Sequence, residues 1–163
     1  FMRAPKDPYL SRVWEFHGLV GHPRGMNGPR VLDQDRARLR VAMLREEVTE
    51  LEEALREENL VATADALADT QYVLAGTVIE CGMHRNFQDI FKEVHKSNLS
   101  KGPRPREEAE RLVADLTERG TRCTASRAGQ GWVVTHAEGE KKGKVIKGPR
   151  FHPPELEPLL RLD

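Results

Sequence analysis

Two short runs of carboxylates offer most of the chemistry in this sequence: Glu46, Glu47 and Glu50 in Arg45-Glu46-Glu47-Val48-Thr49-Glu50, and Asp65 and Asp69 in Asp65-Ala66-Leu67-Ala68-Asp69. On a helix, Glu47 and Glu50 share a face at a spacing of three, as Asp65 and Asp69 do at a spacing of four. Two such helices laid antiparallel with these faces together bring four carboxylates to one space. Hard oxygen donors of this kind suit Mg²⁺ or Mn²⁺ rather than zinc. Mg²⁺ held by few carboxylates keeps waters and takes phosphate oxygens, so the expected substrate is a nucleotide polyphosphate. Two ions would clamp the attacking water and the bridging oxygen of an in-line displacement. Glu46, next to the cluster, is the candidate to orient or deprotonate that water.

The helices that must carry these acids are legible from their periodicity. Asp33 caps a helix running to about 58 through Leu44, Val48, Leu51 and Leu55. At about 100° per residue, Glu47 falls about 60° from the middle of that stripe, Glu50 about 120° away and Glu46 farther. Glu47 is therefore placed at the core edge, whereas Glu52, Glu53, Glu57 and Glu58 read as surface acids partly paired with Arg45 and Arg56. The next helix, roughly 60–82, is apolar nearly all round through Leu67, Tyr72, Val73, Leu74, Val78, Ile79, Cys81 and Met83, which predicts burial. Its acids Asp65, Asp69 and Glu80 fall on one stripe about 60° wide, with Gly76 on the same stripe. Buried carboxylates cost several kcal/mol each unless compensated, and no Lys or Arg lies between Arg56 and Arg85. A divalent cation is the expected partner. Gly76 reads either as a close helix-packing position or as a place where a ligand approaches the backbone.

Around this pair, Asp7-Pro8 opens a helix over about 8–19 with Leu10, Val13, Trp14 and His17 on one stripe. His17 reads either as a satisfied core histidine or as a substrate contact. The breakers Gly18, Gly21, Pro23, Gly25, Gly28 and Pro29 then mark a loop that either links or binds, carrying His22, Arg24, Asn27 and Arg30. Asn86, with Asp89 three residues on, caps a helix whose apolar face is Phe87, Ile90, Phe91 and Val94. His95 and Asn98 continue that face, with Lys101 a turn further: a pocket wall or a frayed end. Beyond Gly102-Pro103 follow a short helix over 107–119 and two strands, 121–127 and 132–137, around Ala128-Gly129-Gln130-Gly131. That piece is expected to pack on the helical body. The basic strip Lys141, Lys142, Lys144 and Lys147 reads as a solvated linker or a phosphate-attracting flap, and the tail is expected to wrap the surface.

Composition limits the alternatives. The 163 residues suffice for one domain with a real core. Lys plus Arg equals Asp plus Glu at 26 each, so no global field favours nucleic acid or a membrane, and binding of nucleic acid through Lys141–Lys147 is disfavoured. No apolar run approaches the roughly 20 residues of a membrane span, and the two cysteines, Cys81 and Cys123, lack metal-ligand spacing. These features predict a soluble, cytoplasmic protein, in a host cytoplasm if phage-encoded. Phe1 ahead of Met2 reads as a cloning remnant. There is no phosphate-binding P-loop, dinucleotide fingerprint, nucleophile elbow or zincin motif.

The order of four segments resembles the all-α nucleoside triphosphate pyrophosphohydrolases of the MazG kind, which include phosphoribosyl-ATP pyrophosphohydrolase and dimeric dUTPases. The segments are Glu15-Phe16-His17, Arg45 to Glu50, Asp65 to Val73 with Gly76, and Phe91 to Lys101; Gly143 to Pro149 with Pro153-Pro154 resembles the family tail. The resemblance implies a mainly α fold, an antiparallel four-helix MazG-like bundle. It is a single domain over 2–163 with a helical core at about 8–101, an inserted helix plus β-hairpin at about 103–140, and an extended tail at 141–163. It also implies two or three Mg²⁺ or Mn²⁺ ions held by Glu47, Glu50 and Asp69, attack at the α-phosphorus, and a homodimer or dimer of dimers. Tyr72, Asn98 and Lys101 would then lie near base, sugar or phosphates, with His17 and His95 as further substrate contacts. Two departures stand out. The usual second motif is E-x-x-D, but its Glu position is Ala66, so Asp65 takes over as fourth ligand, as in phage-like members; and the segment at about 103–140 interrupts the pattern. The resulting expectation is conversion of dGTP to dGMP, as in MazZ-type enzymes, with dUTP, phosphoribosyl-ATP and a non-catalytic helical regulatory or interaction module as alternatives.

Overall fold

In the computed structural model, which describes residues 3–161, helices begin where the sequence supplies capping groups. Phe1 and Met2 lie outside the described residues. The Asp7 carboxylate accepts from the Tyr9 and Leu10 N–H groups, and Pro8 takes the first position of α1 (Pro8–Val20). Asp33 accepts from the Arg36 N–H ahead of α2 (Gln34–Arg56), and Asn59 from the Ala62 N–H ahead of α3 (Leu60–Glu80). Then come α4 (Phe87–Leu99), α5 (Arg106–Glu118), β1 (Cys123–Ala128), β2 (Gly131–His136) and the single turn α6 (Glu157–Leu160). The chain is thus mainly helical with one two-stranded antiparallel sheet, as expected. Among the described residues no helix is long and apolar enough to cross a membrane. Asn86 does not cap α4 with its side chain as the sequence suggests. Its amide donates to the Leu159 carbonyl and its Oδ1 has no partner, while its backbone carbonyl accepts from Asp89 and Ile90.

The chain divides into two compact units, one up to Ile90 together with the residues from Glu157 onward, the other Phe91–Leu156. In the first, Leu10, Val13 and Trp14 of α1 meet Ala75, Val78 and Ile79 of α3, with Met26, Met83 and Phe87 at the margin. The Gly-rich loop is more than a solvated link. Gly25 N–H donates to the Ile79 carbonyl and Arg30 N–H to that of Cys81, so the loop caps the end of α3. Gly25 is required there, because a Cβ would come within 2.3 Å of the Gly82 nitrogen.

α3 departs from expectation in two respects. Its burial is concentrated in the second half, at Val73, Ala75, Gly76 and Val78 to Glu80, while Leu60, Val61 and Leu67 are exposed. More consequentially, Glu80 is 0% exposed and already compensated, not by a metal ion but by α2. Arg36 Nε donates to Glu80 Oε2 at 3.0 Å and its Nη2 to Oε1, while Arg40 Nη1 lies 3.5 Å from Oε1. Arg40 is itself buried and also donates to Thr77 Oγ1 and the Val73 carbonyl. A search for positive charge along the neighbouring sequence could not find partners 40 and 44 residues away. Gly76 follows from the same contact: a Cβ there would meet Arg40 Nη2 at 2.3 Å and His17 Nε2 at 2.9 Å. Its missing side chain makes room for a guanidinium and an imidazole.

The second unit has a core of its own rather than borrowing one. Ala109, Cys123, Val134 and Ile146 are buried together, flanked by Leu112, Val113, Leu116, Ala125 and Trp132. The predicted hairpin is present, but Ala128 and Gly131 pair within the strands, so the register runs from Cys123↔His136 to Ala128↔Gly131 around the two-residue turn Gly129-Gln130. The other edge of β2 is used as well, since Arg104 pairs with Trp132 and Val145 with Thr135, and Ile146 N–H donates to Val134. The lysine strip is therefore partly tied into the sheet, although Lys141, Lys142, Lys144 and Lys147 themselves are exposed.

Gly76→Ala separates these roles. Intrinsic helix propensity favours alanine by roughly 1 kcal/mol, yet the added methyl must displace buried Arg40 or His17, so the variant is expected to lose about 1–3 kcal/mol in urea denaturation.

Candidate active site

The site is set by how α2 lies on α3. The helices are joined by Glu57-Glu58-Asn59, with Glu58 in the left-handed region at φ 53° and Asn59 N–H donating to the Ala54 carbonyl. Arg36 sits opposite Glu80 and Arg40 opposite Thr77 and Val73, which fixes an antiparallel register. Two turns onward from Arg40 is Glu47, and two turns back from Thr77 are Asp69 and Thr70, so the register places Glu47 facing Asp69.

The inward stripe of α2 is not the one that apolar residues suggest. Val48 and Leu55 are 53% and 59% exposed. From Arg40 onward the half-buried or buried positions are Met43 and the series Arg40, Leu44, Glu47, Leu51 and Ala54, which is spaced alternately by four and three. Glu47 therefore lies within the inward stripe rather than 60° off its centre. Its carboxyl is raised above the usual 4.5, first by burial and then by the negative charges of Asp69, Glu50, Glu46 and Asp65, in that order. The structure thus brings the other four carboxylates within electrostatic reach of Glu47. Glu46, Glu50, Asp65 and Asp69 are exposed, and among the described residues none of the five has a Lys or Arg partner. Like charges crowded beside a half-buried acid are a donor set that a hard divalent cation relieves.

A second donor group lies deeper. Ligand atoms of His17, His22 and Glu80 fall within 4.8 Å of one another, closer than the five acids are gathered among the described residues. Its charge is already settled, because two arginines hold Glu80 and the Nδ1 of His17 donates to the Pro23 carbonyl at 2.9 Å. Guanidinium groups at such a point disfavour a cation, whereas the α2–α3 acids have none. An ion that keeps part of its water shell does not require the acids to touch it all at once.

The remaining predicted residues divide between the two units. His17 is buried at 2% exposure, its imidazole held below the ordinary 6.5 chiefly by burial. Tyr72, one turn beyond Asp69, meets Phe16 edge-to-face at 5.8 Å. Both line a recess of about 40 Å³ together with Val13, His17, His22, Arg40, Met43 and Val73. His95, Asn98 and Lys101 belong to the other unit, where Lys101 Nζ donates to Asn98 Oδ1 and His95 is exposed. Sequence reasoning missed Arg36 and Arg40, and gave Phe16 and Met43 no role. The signal for the arginines was their i, i+4 spacing ahead of Leu44 and Glu47 on one face of α2.

Residues 13–98 match the protein-family model for phosphoribosyl-ATP pyrophosphohydrolase, a stretch that includes both acid runs and Tyr72, His95 and Asn98 but not Lys101 or the helix-hairpin segment. The chain is also similar to an uncharacterized protein of Acanthamoeba polyphaga mimivirus, at 28% identity over 104 residues, 62% of this chain and 41% of that protein. It thus spans about two fifths of the length of that curated relative.

The raised Glu47 carboxyl has a sign that can be tested. A folded value above the unfolded 4.5 means that the ionised form opposes folding at neutral pH, and that this penalty fades as pH falls through the folded value towards 4.5. Glu47→Gln is therefore expected to stabilise the metal-free protein at pH 7 by roughly 0.5 kcal/mol, the scale of a relieved like-charge contact on a helix. The same substitution should weaken the stabilisation that added Mn²⁺ confers, both effects read from thermal melts.

Proposed function

Because the chain belongs to the phosphoribosyl-ATP pyrophosphohydrolase family of MazG-like, all-α nucleotide pyrophosphohydrolases, we propose that it hydrolyses a (deoxy)nucleoside triphosphate to the monophosphate and pyrophosphate. The observation that carries this reading is the group of carboxylates around Glu47 on facing helices, with no Lys or Arg partner among the described residues. Glu47, Glu50 and Asp69, with Asp65, would hold Mg²⁺ or Mn²⁺. Such ions, when bound, neutralise phosphate charge and lower the pKa of a coordinated water. Glu46 accepts the proton of the water that attacks the α-phosphorus, and the bond to the α–β bridging oxygen breaks to release pyrophosphate. Tyr72 and Phe16, two aromatic rings beside the acids, offer stacking for a base. His17 acts through Tyr72 and the recess they share, while His95, Asn98 and Lys101 are assigned to sugar and phosphates. Within this proposal the α1–α4 helices form the antiparallel bundle of the family, and residues 103–140 are an insertion in one MazG-like domain.

We place dGTP first among substrates and dUTP second. Ala66, at the usual Glu position of the second motif, is buried at 4% exposure, so that position has an inward packing role. The fourth carboxylate then comes from Asp65, in the pattern resembling MazZ-type enzymes. Phosphoribosyl-ATP is the second reading, favoured by the description of the matching family.

With Mn²⁺ and a panel of dNTPs plus phosphoribosyl-ATP, chromatography should resolve a monophosphate and pyrophosphate in equal amounts. Glu50→Gln should lower turnover on the order of 10²-fold or more with the circular dichroism spectrum retained, as should Glu46→Gln through kcat. No turnover of any nucleotide by the folded protein would point instead to a non-catalytic helical module.

The working unit is proposed to be a homodimer or dimer of dimers. Val41, Val48 and Leu55 on α2 and Leu60, Leu67 and Leu74 on α3 repeat every seven residues and are 40–81% exposed, apolar stripes that a second copy would cover. Light scattering is expected to give an oligomer for the native chain and a smaller species for Leu67→Glu; a native monomer at tens of micromolar would remove this part of the proposal.

A further inference from the structure

Arg104, in the second unit, is buried without a counterion. It is 4% exposed, and its backbone is pinned to Trp132 by reciprocal hydrogen bonds of 2.9 and 2.8 Å. The guanidinium packs against Gly148, where a Cβ would come within 1.9 Å of Nη1. Its one hydrogen bond is long, 3.4 Å from Nη2 to the Lys101 carbonyl, and its buried Nε has no partner. Among the described residues no carboxylate pairs with it. A guanidinium taken out of water with so little compensation costs several kcal/mol, and an anion in contact with it would remove much of that cost.

The surroundings provide the room. Arg104 borders a cleft of about 450 Å³, lined also by Glu108, Arg111, Leu112, Asp115, Pro149 and Arg150. Both acids are already engaged, Glu108 by Arg150 and Asp115 by Arg119 at 3.0 Å. Among the described residues this leaves Arg104 and the exposed Arg111 as the lining charges without an ion-pair partner. We propose that this cleft is a binding site for a phosphate-bearing small anion, held by the guanidinium groups of Arg104 and Arg111. Planar guanidinium forks match phosphate oxygens two at a time, and Leu112 and Pro149 supply an apolar wall for an organic remainder. The site lies outside residues 13–98 and uses none of the acids assigned to hydrolysis, so it stands or falls independently of the proposed reaction.

The test is calorimetric titration of the whole chain with inorganic phosphate and, separately, inorganic pyrophosphate, in excess EDTA so that no metal links either anion to the acid cluster. Saturable binding of at least one anion is expected, weakened roughly tenfold or more by Arg111→Ala and by Arg104→Gln and unchanged by Glu47→Gln. Equal affinity for both anions identifies a single phosphate group as the recognised unit, and tighter pyrophosphate binding identifies a linked pair; either supports the site. Arg111 is exposed and forms no ion pair among the described residues, so Arg111→Ala decides the matter even if Arg104→Gln fails to fold. Absence of saturable binding to the native protein, or binding that Arg111→Ala leaves unchanged, overturns the proposal.

Discussion

Glu80 is a carboxylate with no access to water, and its two arginine partners decide how α2 lies on α3. A buried ion pair of this kind contributes little net stability compared with well-packed apolar groups, but removing one partner costs about 3–5 kcal/mol. Its value lies in specificity. Sliding α2 by one residue along α3 would leave Glu80 facing no guanidinium and would drive Arg40 into the backbone at Gly76. Because the register is fixed at that end, the acids two turns away have little choice about what they face. The geometry of the candidate site is in this sense inherited from a charge clamp two turns away from its acids.

That arrangement also explains why the acid cluster can exist at all. Glu47 occupies the inward stripe of α2 among Leu44, Leu51 and Ala54, where a neutral or apolar side chain would suit folding better. The helix pair tolerates it because the short connection closed by the Asn59 N–H to Ala54 carbonyl bond lies at one end and the clamp at the other. Local electrostatic strain concentrated at one spot, with stability supplied elsewhere, is the usual compromise at a site built for charged ligands.

What was legible in the sequence was mostly local. Asp7-Pro8 and Asp33 act within one turn of where they stand, and the hairpin turn at Gly129-Gln130 is a two-residue decision. The acid cluster was legible because side-chain spacing on two helices is enough to pair their faces. The clamp was not, since its partners are separated by 40 residues or more and nothing near Glu80 advertises them. Val48 and Leu55 misled for a different reason: they are apolar at helical spacing, yet they belong to a face that a single chain leaves open. Periodicity reports that a face wants covering and is silent about whether the cover comes from the same molecule. Asn86 is a smaller case, in which a distant carbonyl at Leu159 outcompeted the local cap.

The pairings on the outer edge of β2 have a consequence for how the segment between the helical stretch and the lysine strip came to be there. Arg104 enters beside Trp132 and Val145 leaves beside Thr135, three residues apart on one strand, about 10 Å. A segment whose two ends are that close behaves as a cassette: it can lengthen, shorten or be exchanged without moving the chain on either side. A change of length between these two points therefore leaves the edge pairings of Arg104 and Val145 where they are.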